Sequence, residues 1–192
     1  YIYFVDSDDI VCDNFIGNAL MQAKSENLDV LMFSFENFAD NIDTYKKYED
    51  RILRKKRTKV PKSIHSGIEM MKCQLDENEY YPMVWIQMTR RKLLVENALF
   101  FCKGIVFEDT LYTFRLLWYS KRVRSLIDVG YKKRIHAESI CGKPENLHNV
   151  KSLWKNYKEL MILCEQFNQE DNIYEYVARA MINRSIKQLL LH

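Results

Sequence analysis

Asp6, Ser7, Asp8 and Asp9 follow directly on the apolar and aromatic run YIYFV. Carboxylates this close repel one another, so the stretch calls for a cation or a heavily solvated turn. A calcium loop of the EF-hand type fails on spacing. Counted from Asp6, the fifth residue is Ile10, the sixth is Val11 where such a loop needs glycine, and the twelfth is Gly17 where it needs glutamate. A helix-capping turn accounts for one aspartate, because Asp is a good N-cap and acids favour a helix start. A divalent ion site accounts for more than one. There, carboxylates and a substrate diphosphate would share Mg2+ or Mn2+ in an oxygen-rich shell, and the ion would neutralise a diphosphate leaving group. Residue chemistry alone leaves the last two readings open.

The elements that must position these acids are legible along the chain. Residues 1–5 suit a buried strand with the aspartates at its C-terminal end, where ligands bind in open α/β sheets. Phe15, Ile16, Ala19, Leu20 and Ala23 recur at helical spacing within 14–27, and DVLMFSF returns to a strand. SGIEMMKCQL predicts a helix opened by the capping box of Ser66 and Glu69. YYPMVWIQM is strand-like, and TRRKLLVENAL predicts a short helix capped by Thr89. A second acidic pair, Glu108 and Asp109, follows a short apolar stretch. Leu111, Phe114, Leu117 and Trp118 then fall in helical period, which sets Asp109 at or near a helix N-terminus. RSLIDVGYKKRIHAESI predicts a strand pair ending in a polar turn. From Leu147 onward two amphipathic helices follow, the first striped by Leu153, Trp154, Tyr157, Leu160, Met161, Cys164 and Phe167, the second by Val177, Met181, Ile182, Ile186 and Leu189. The chain therefore divides into an α/β unit over 1–146 and a helical tail over 147–192.

With 192 residues, 47% of them hydrophobic, the chain can bury a sizeable core, which excludes disorder. A net charge of +3 is too weak a field to argue for nucleic acid. Five cysteines without CxxC spacing favour a reducing, cytoplasmic setting over a disulfide frame or a zinc site. No apolar run approaches the roughly 18 residues of a membrane span, so membrane contact would be peripheral. Between Lys46 and Lys62 nine basic residues stand against two acids. That segment reads as a solvated loop or charged edge hairpin, or as a contact for anionic lipid or a phosphorylated acceptor. It lacks the interleaved aromatics that a single-strand nucleic-acid platform needs.

Four segments in order resemble the GT-A family 2 glycosyltransferases: YIYFVDSDD the strand and DXD motif, VWIQMTRRKLL a strand and helix, VFEDTLYTFRLL the later ED segment, and GYKKRIHAESI the terminal segment. Together they span roughly residues 1 to 141. The resemblance implies a GT-A-like mixed α/β sheet and an inverting transfer of sugar from a nucleotide-diphosphate sugar to a glycan or lipid-linked acceptor hydroxyl in surface polysaccharide synthesis. It implies that Asp6 and Ser7 face the donor, that Asp8 is the direct ligand of Mn2+ or Mg2+, and that Asp9 orients the loop or caps the next helix. Asp109 would be the general base with Glu108 as its neighbour. His136 and Arg134 would reach the metal or the diphosphate, and Trp85 would line the acceptor pocket. Gln87 stands where relatives have a basic or amide residue. The family's first βαβαβ half has no counterpart in the sequence, so the chain is expected to be the C-terminal part of such an enzyme, with a sheet edge open to homodimerisation. A rival expectation from another class is a non-catalytic scaffold, with a structural acidic turn and a basic docking segment.

Overall fold

The computed structural model describes residues 1–53, 57–136, 147–166 and 172–190. The expected polar turn at 137–140 with its final Ser139 and Ile140, the basic residues Arg54, Lys55 and Lys56, and Phe167 lie outside the described residues. Five strands form one mixed sheet: β1 (Ile2–Tyr3), β2 (Ile10–Val11), β3 (Val30–Phe38), β4 (Gln87–Thr89) and β5 (Val123–Arg134), in the order β1-β4-β3-β5-β2. β3 lies at the centre, parallel to β5 and antiparallel to β4. Its first six residues are all buried because helices or loops cover both faces. Strand alternation then splits the interior. Val30 and Met32 join one core cluster, while Leu31, Phe33 and Phe35 join a second with Trp85, Ile86 and Tyr131.

Helix α1 (Phe15–Ser25) closes the second cluster through Ala19 and Ala23. Two short helices, α2 (Ile42–Lys47) and α3 (Glu49–Ile52), follow β3. α4 (Gly67–Asp76) begins at the predicted capping box, with the Ser66 and Glu69 side chains each bonded to the other's backbone. α5 (Arg91–Glu96) and α6 (Glu108–Tyr119) complete the α/β part. Leu160 and Cys164 of α7 (Leu147–Gln166) and Val177, Ala178 and Met181 of α8 (Asn172–Leu190) pack in the same cluster as Met70, Phe114 and Trp118. The tail and the α/β part therefore share one interior. No helix among the described residues is long and apolar enough to cross a membrane.

Four sequence expectations need correction. The first strand is a half-buried edge strand, paired among the described residues only with β4, and not a buried one. Thr89 does not cap α5; it is a buried residue of β4 that pairs with both Ile2 and Val30, and the helix starts after Arg90 without a side-chain cap. The predicted strand pair is one twelve-residue strand, β5. Met32 faces Ser125 and Ser34 faces Val129, so β5 carries extra residues that bulge outward and leave Ile127 exposed. The Asp128–Gly130 stretch falls in this irregularity. The basic segment is not a solvated loop or hairpin throughout. Its described part begins in α2 and α3 and resumes at Arg57, only 1% exposed, whose Nη1 donates to the Phe33 carbonyl and to Ser125 Oγ, both at 3.3 Å. Beside it Glu79 accepts from the Thr58 and Lys59 amides at 2.8 and 2.9 Å and from Thr58 Oγ1 at 2.7 Å.

Candidate metal and proton-transfer site

β1 runs out through Phe4 and Val5 into the acidic turn, which the Asp9 amide closes on the Asp6 carbonyl at 3.3 Å. Its three carboxylates occupy different environments. The Asp9 side chain is fully buried. It accepts from the Tyr131 hydroxyl at 2.6 Å, from Lys133 Nζ at 3.1 Å and from the Arg134 amide at 2.8 Å. Asp6 is exposed; its amide donates to the Tyr131 oxygen at 3.1 Å and its carboxylate meets Lys133 at 3.3 Å. Asp8 is also exposed, with His136 Nε2 2.9 Å from its carboxylate and Arg134 Nε donating to its carbonyl at 2.7 Å. A second Arg134 nitrogen pairs with Asp40. Ser7 is exposed in the same turn. Every one of these partners except Asp40 comes from β5 or the two residues beyond it, so a single strand templates the turn.

The electrostatics follow this geometry. The His136 hydrogen bond, with Lys133 adding to it, draws the Asp8 carboxyl below its ordinary range. Burial and the bond to Asp9 push the Tyr131 phenol far up. Lys133 stays above its ordinary value although burial opposes it, because the Asp9 and Asp6 carboxylates outweigh desolvation. Ligand atoms of Asp6, Asp8 and Asp9 all lie within 4.8 Å of one another, and this all-oxygen donor set fits Mg2+ or Mn2+. Asp9 is already engaged by three donors, which leaves the exposed Asp6 and Asp8 as the residues able to hold an ion, with His136 beside them.

The second acidic pair opens α6. Phe107 precedes it in the left-handed region, φ 61°, and its carbonyl accepts from the Thr110 amide at 3.2 Å. Burial first, then the neighbouring Glu108, pushes the Asp109 carboxyl up to about 7; the charge on Asp6 adds to the rise. The two acidic clusters, distant in sequence, lie on segments that pack against each other. Aromatic packing explains the approach: Phe4, just before the turn, lies edge-on to Tyr112, one helical turn beyond Asp109, with ring centroids 6.1 Å apart, and edge-on to Phe101 at 5.2 Å.

Trp85 is 6% exposed, stacked on Tyr131 at 4.5 Å, with Lys133 Nζ 5.4 Å from its ring centroid. Gln87 is buried and donates to Thr113 Oγ1 at 3.1 Å. Sequence reasoning passed over Tyr131, Lys133 and two polar residues of α7. Ser152 Oγ accepts from the Val106 amide at 3.2 Å, and Asn156 Nδ2 donates to the Phe107 carbonyl at 2.9 Å. The available signals were the alternation of Tyr131 and Lys133 on one strand face, and two buried polar residues four apart within an apolar helix stripe.

No family model matches the sequence. The chain is 22% identical over 170 residues to the uncharacterized glycosyltransferase YibD of Escherichia coli (strain K12), a match covering 88% of this chain and 48% of that protein. The structure of S. aureus TarS 1–349 in complex with UDP-GlcNAc superimposes with a TM-score of 0.67 at 15% identity, covering 96% of this chain and 48% of that one. The complex of the same protein with UDP gives a TM-score of 0.63 at 16% identity, covering 96% and 46%. The fold is thus the mixed α/β GT-A type, with helices at its C-terminal end. The chain is distantly similar in sequence to a protein named as a glycosyltransferase and spans about half the length of the relatives it matches.

Proposed function

We propose that this chain forms the metal- and acceptor-side part of a glycosyltransferase that moves a sugar from a nucleoside-diphosphate sugar to an acceptor hydroxyl with inversion. The observation that supports the reading is the packing that draws the two acidic segments together: Phe4, two residues before Asp6, meets Tyr112, three residues after Asp109, with ring centroids 6.1 Å apart. Asp6 and Asp8 would hold Mg2+ or Mn2+, which when bound offsets the charge that gathers on the departing diphosphate. His136 keeps the Asp8 carboxylate oriented and Arg134 fixes the Asp8 carbonyl. Arg134 and Ser7 are the groups assigned to the diphosphate side.

Asp109 takes the proton of the acceptor hydroxyl as its oxygen bonds to the anomeric carbon, and the bond from that carbon to the diphosphate oxygen breaks with its electron pair. A carboxyl raised to about 7 suits this work, because near neutrality it is a stronger base than an ordinary aspartate and is still substantially ionised. Glu108 supports it by charge. Trp85, stacked on Tyr131, is assigned the floor beneath the turn and the acceptor. The TarS complexes contain UDP or UDP-GlcNAc, so a uridine-diphosphate sugar is the donor class to test first, with a glycan or lipid-linked alcohol as acceptor. In the intact protein Asp109→Asn is expected to abolish transfer while donor binding, followed by calorimetry, persists. Retained turnover would remove Asp109 from the role of base.

A further inference from the structure

Lys133 raises a question that the metal reading alone does not answer. Its Nζ meets two carboxylates of the turn, 3.1 Å from Asp9 and 3.3 Å from Asp6, and lies over the Trp85 ring, 5.4 Å from its centroid. The side chain is only 22% exposed, so the ammonium is fixed in place by packing. A monovalent cation is therefore built into the acidic turn. The two partners differ: Asp9 is fully buried and further bonded to Tyr131 and the Arg134 amide, whereas half of the Asp6 side chain is open to solvent and its contact with Lys133 is the longer one. Asp8, the remaining carboxylate, is bonded to His136, and Lys133 acts on it through charge alone.

We infer that Lys133 is the resident counter-cation of the turn, and that divalent-ion binding transfers Asp6 from Lys133 to the ion while Lys133 keeps Asp9. Lys133 is thus a positioning residue whose charge does two opposed things. Without a divalent ion it holds together carboxylates that would otherwise repel one another. With the ion approaching, its positive charge and its hold on Asp6 weaken the attraction, so the site loads best when a second set of negative oxygens, those of a diphosphate, arrives with the metal. The role rests on the divalent-site reading above.

The test compares wild type, Lys133→Gln and Lys133→Arg in the intact protein, with Asp8→Ala as control. Thermal midpoints are measured in EDTA and with Mn2+, and free Mn2+ is counted by electron paramagnetic resonance in the absence of any nucleotide. Lys133→Gln is expected to melt several degrees below wild type in EDTA, to recover most of that loss with Mn2+, and to bind Mn2+ about ten-fold more tightly; Lys133→Arg is expected to stay near wild type. An unchanged midpoint in EDTA, or Mn2+ binding no tighter than in wild type, overturns the inference. Absence of Mn2+ binding in every variant, with Asp8→Ala indistinguishable from wild type, instead overturns the divalent-site reading and this inference with it.

Discussion

The Asp109 carboxyl, proposed as the base, also bears on stability. Burial raises it from 3.8 to about 7, so the folded protein binds this proton more tightly than the unfolded chain does. Stability from this group is therefore fully present below about pH 4 and is lost as pH rises to about 7. Asp109→Asn, which cannot ionise, is expected to melt higher than wild type at pH 8, by about 2–4 °C for each kcal/mol regained, and to show a smaller gain at pH 5. Equal gains at both values would show that the ionised form is not disfavoured. In the intact protein the same group predicts that kcat/KM climbs with unit slope on the acid side and levels near pH 7. The acids themselves were legible as residues, because carboxylates after an apolar run are conspicuous. Their supports were not: Tyr131 and Lys133 acquire meaning only when β5 lies beside the turn, and pairing between β5 and β2 is a long-range fact that local pattern does not carry.

At the scale of elements, periodicity revealed α1, α6, α7 and α8, whose buried faces recur every three or four residues, and the capping box revealed α4. It failed where a short element is defined by its neighbours. β4 has three residues and exists because β1 and β3 bracket it, which is why Thr89 reads as a cap and serves as a strand. β5 reads as two strands because its bulge resembles a turn in composition. The junction of α4 with α6 offers a sharper test of packing. A Cβ on Gly67 would lie 1.7 Å from the Leu117 carbonyl oxygen, and the Gly67 amide donates to the Ser120 carbonyl at 2.8 Å. Gly67→Ala must push the two helices apart, at a cost of about 3 kcal/mol, a fall in melting temperature of roughly 6–12 °C. A calorimetric midpoint within 2 °C of wild type would mean that the helices slide freely there.

Taken as a whole, the molecule places the acidic turn at one end of β5 and hangs the start of α6 on α7. The left-handed Phe107 immediately before Glu108 is a conformation that a bulky side chain adopts only when its surroundings insist. Asn156 and Ser152 supply that insistence through bonds to the Phe107 carbonyl and the Val106 amide. Asn156→Ala is expected to lower stability by about 1–2 kcal/mol. In the intact protein it should also reduce kcat more than donor affinity, and equal losses in both would deny the link to Asp109. The C-terminal helices are thus a brace behind the start of α6, where Asp109 lies. A chimera that grafts a relative's tail onto this sheet would inherit a slack joint unless the graft brings its own partners to the Phe107 carbonyl and the Val106 amide, so exchange of tails is constrained by two bonds as well as by the shared interior.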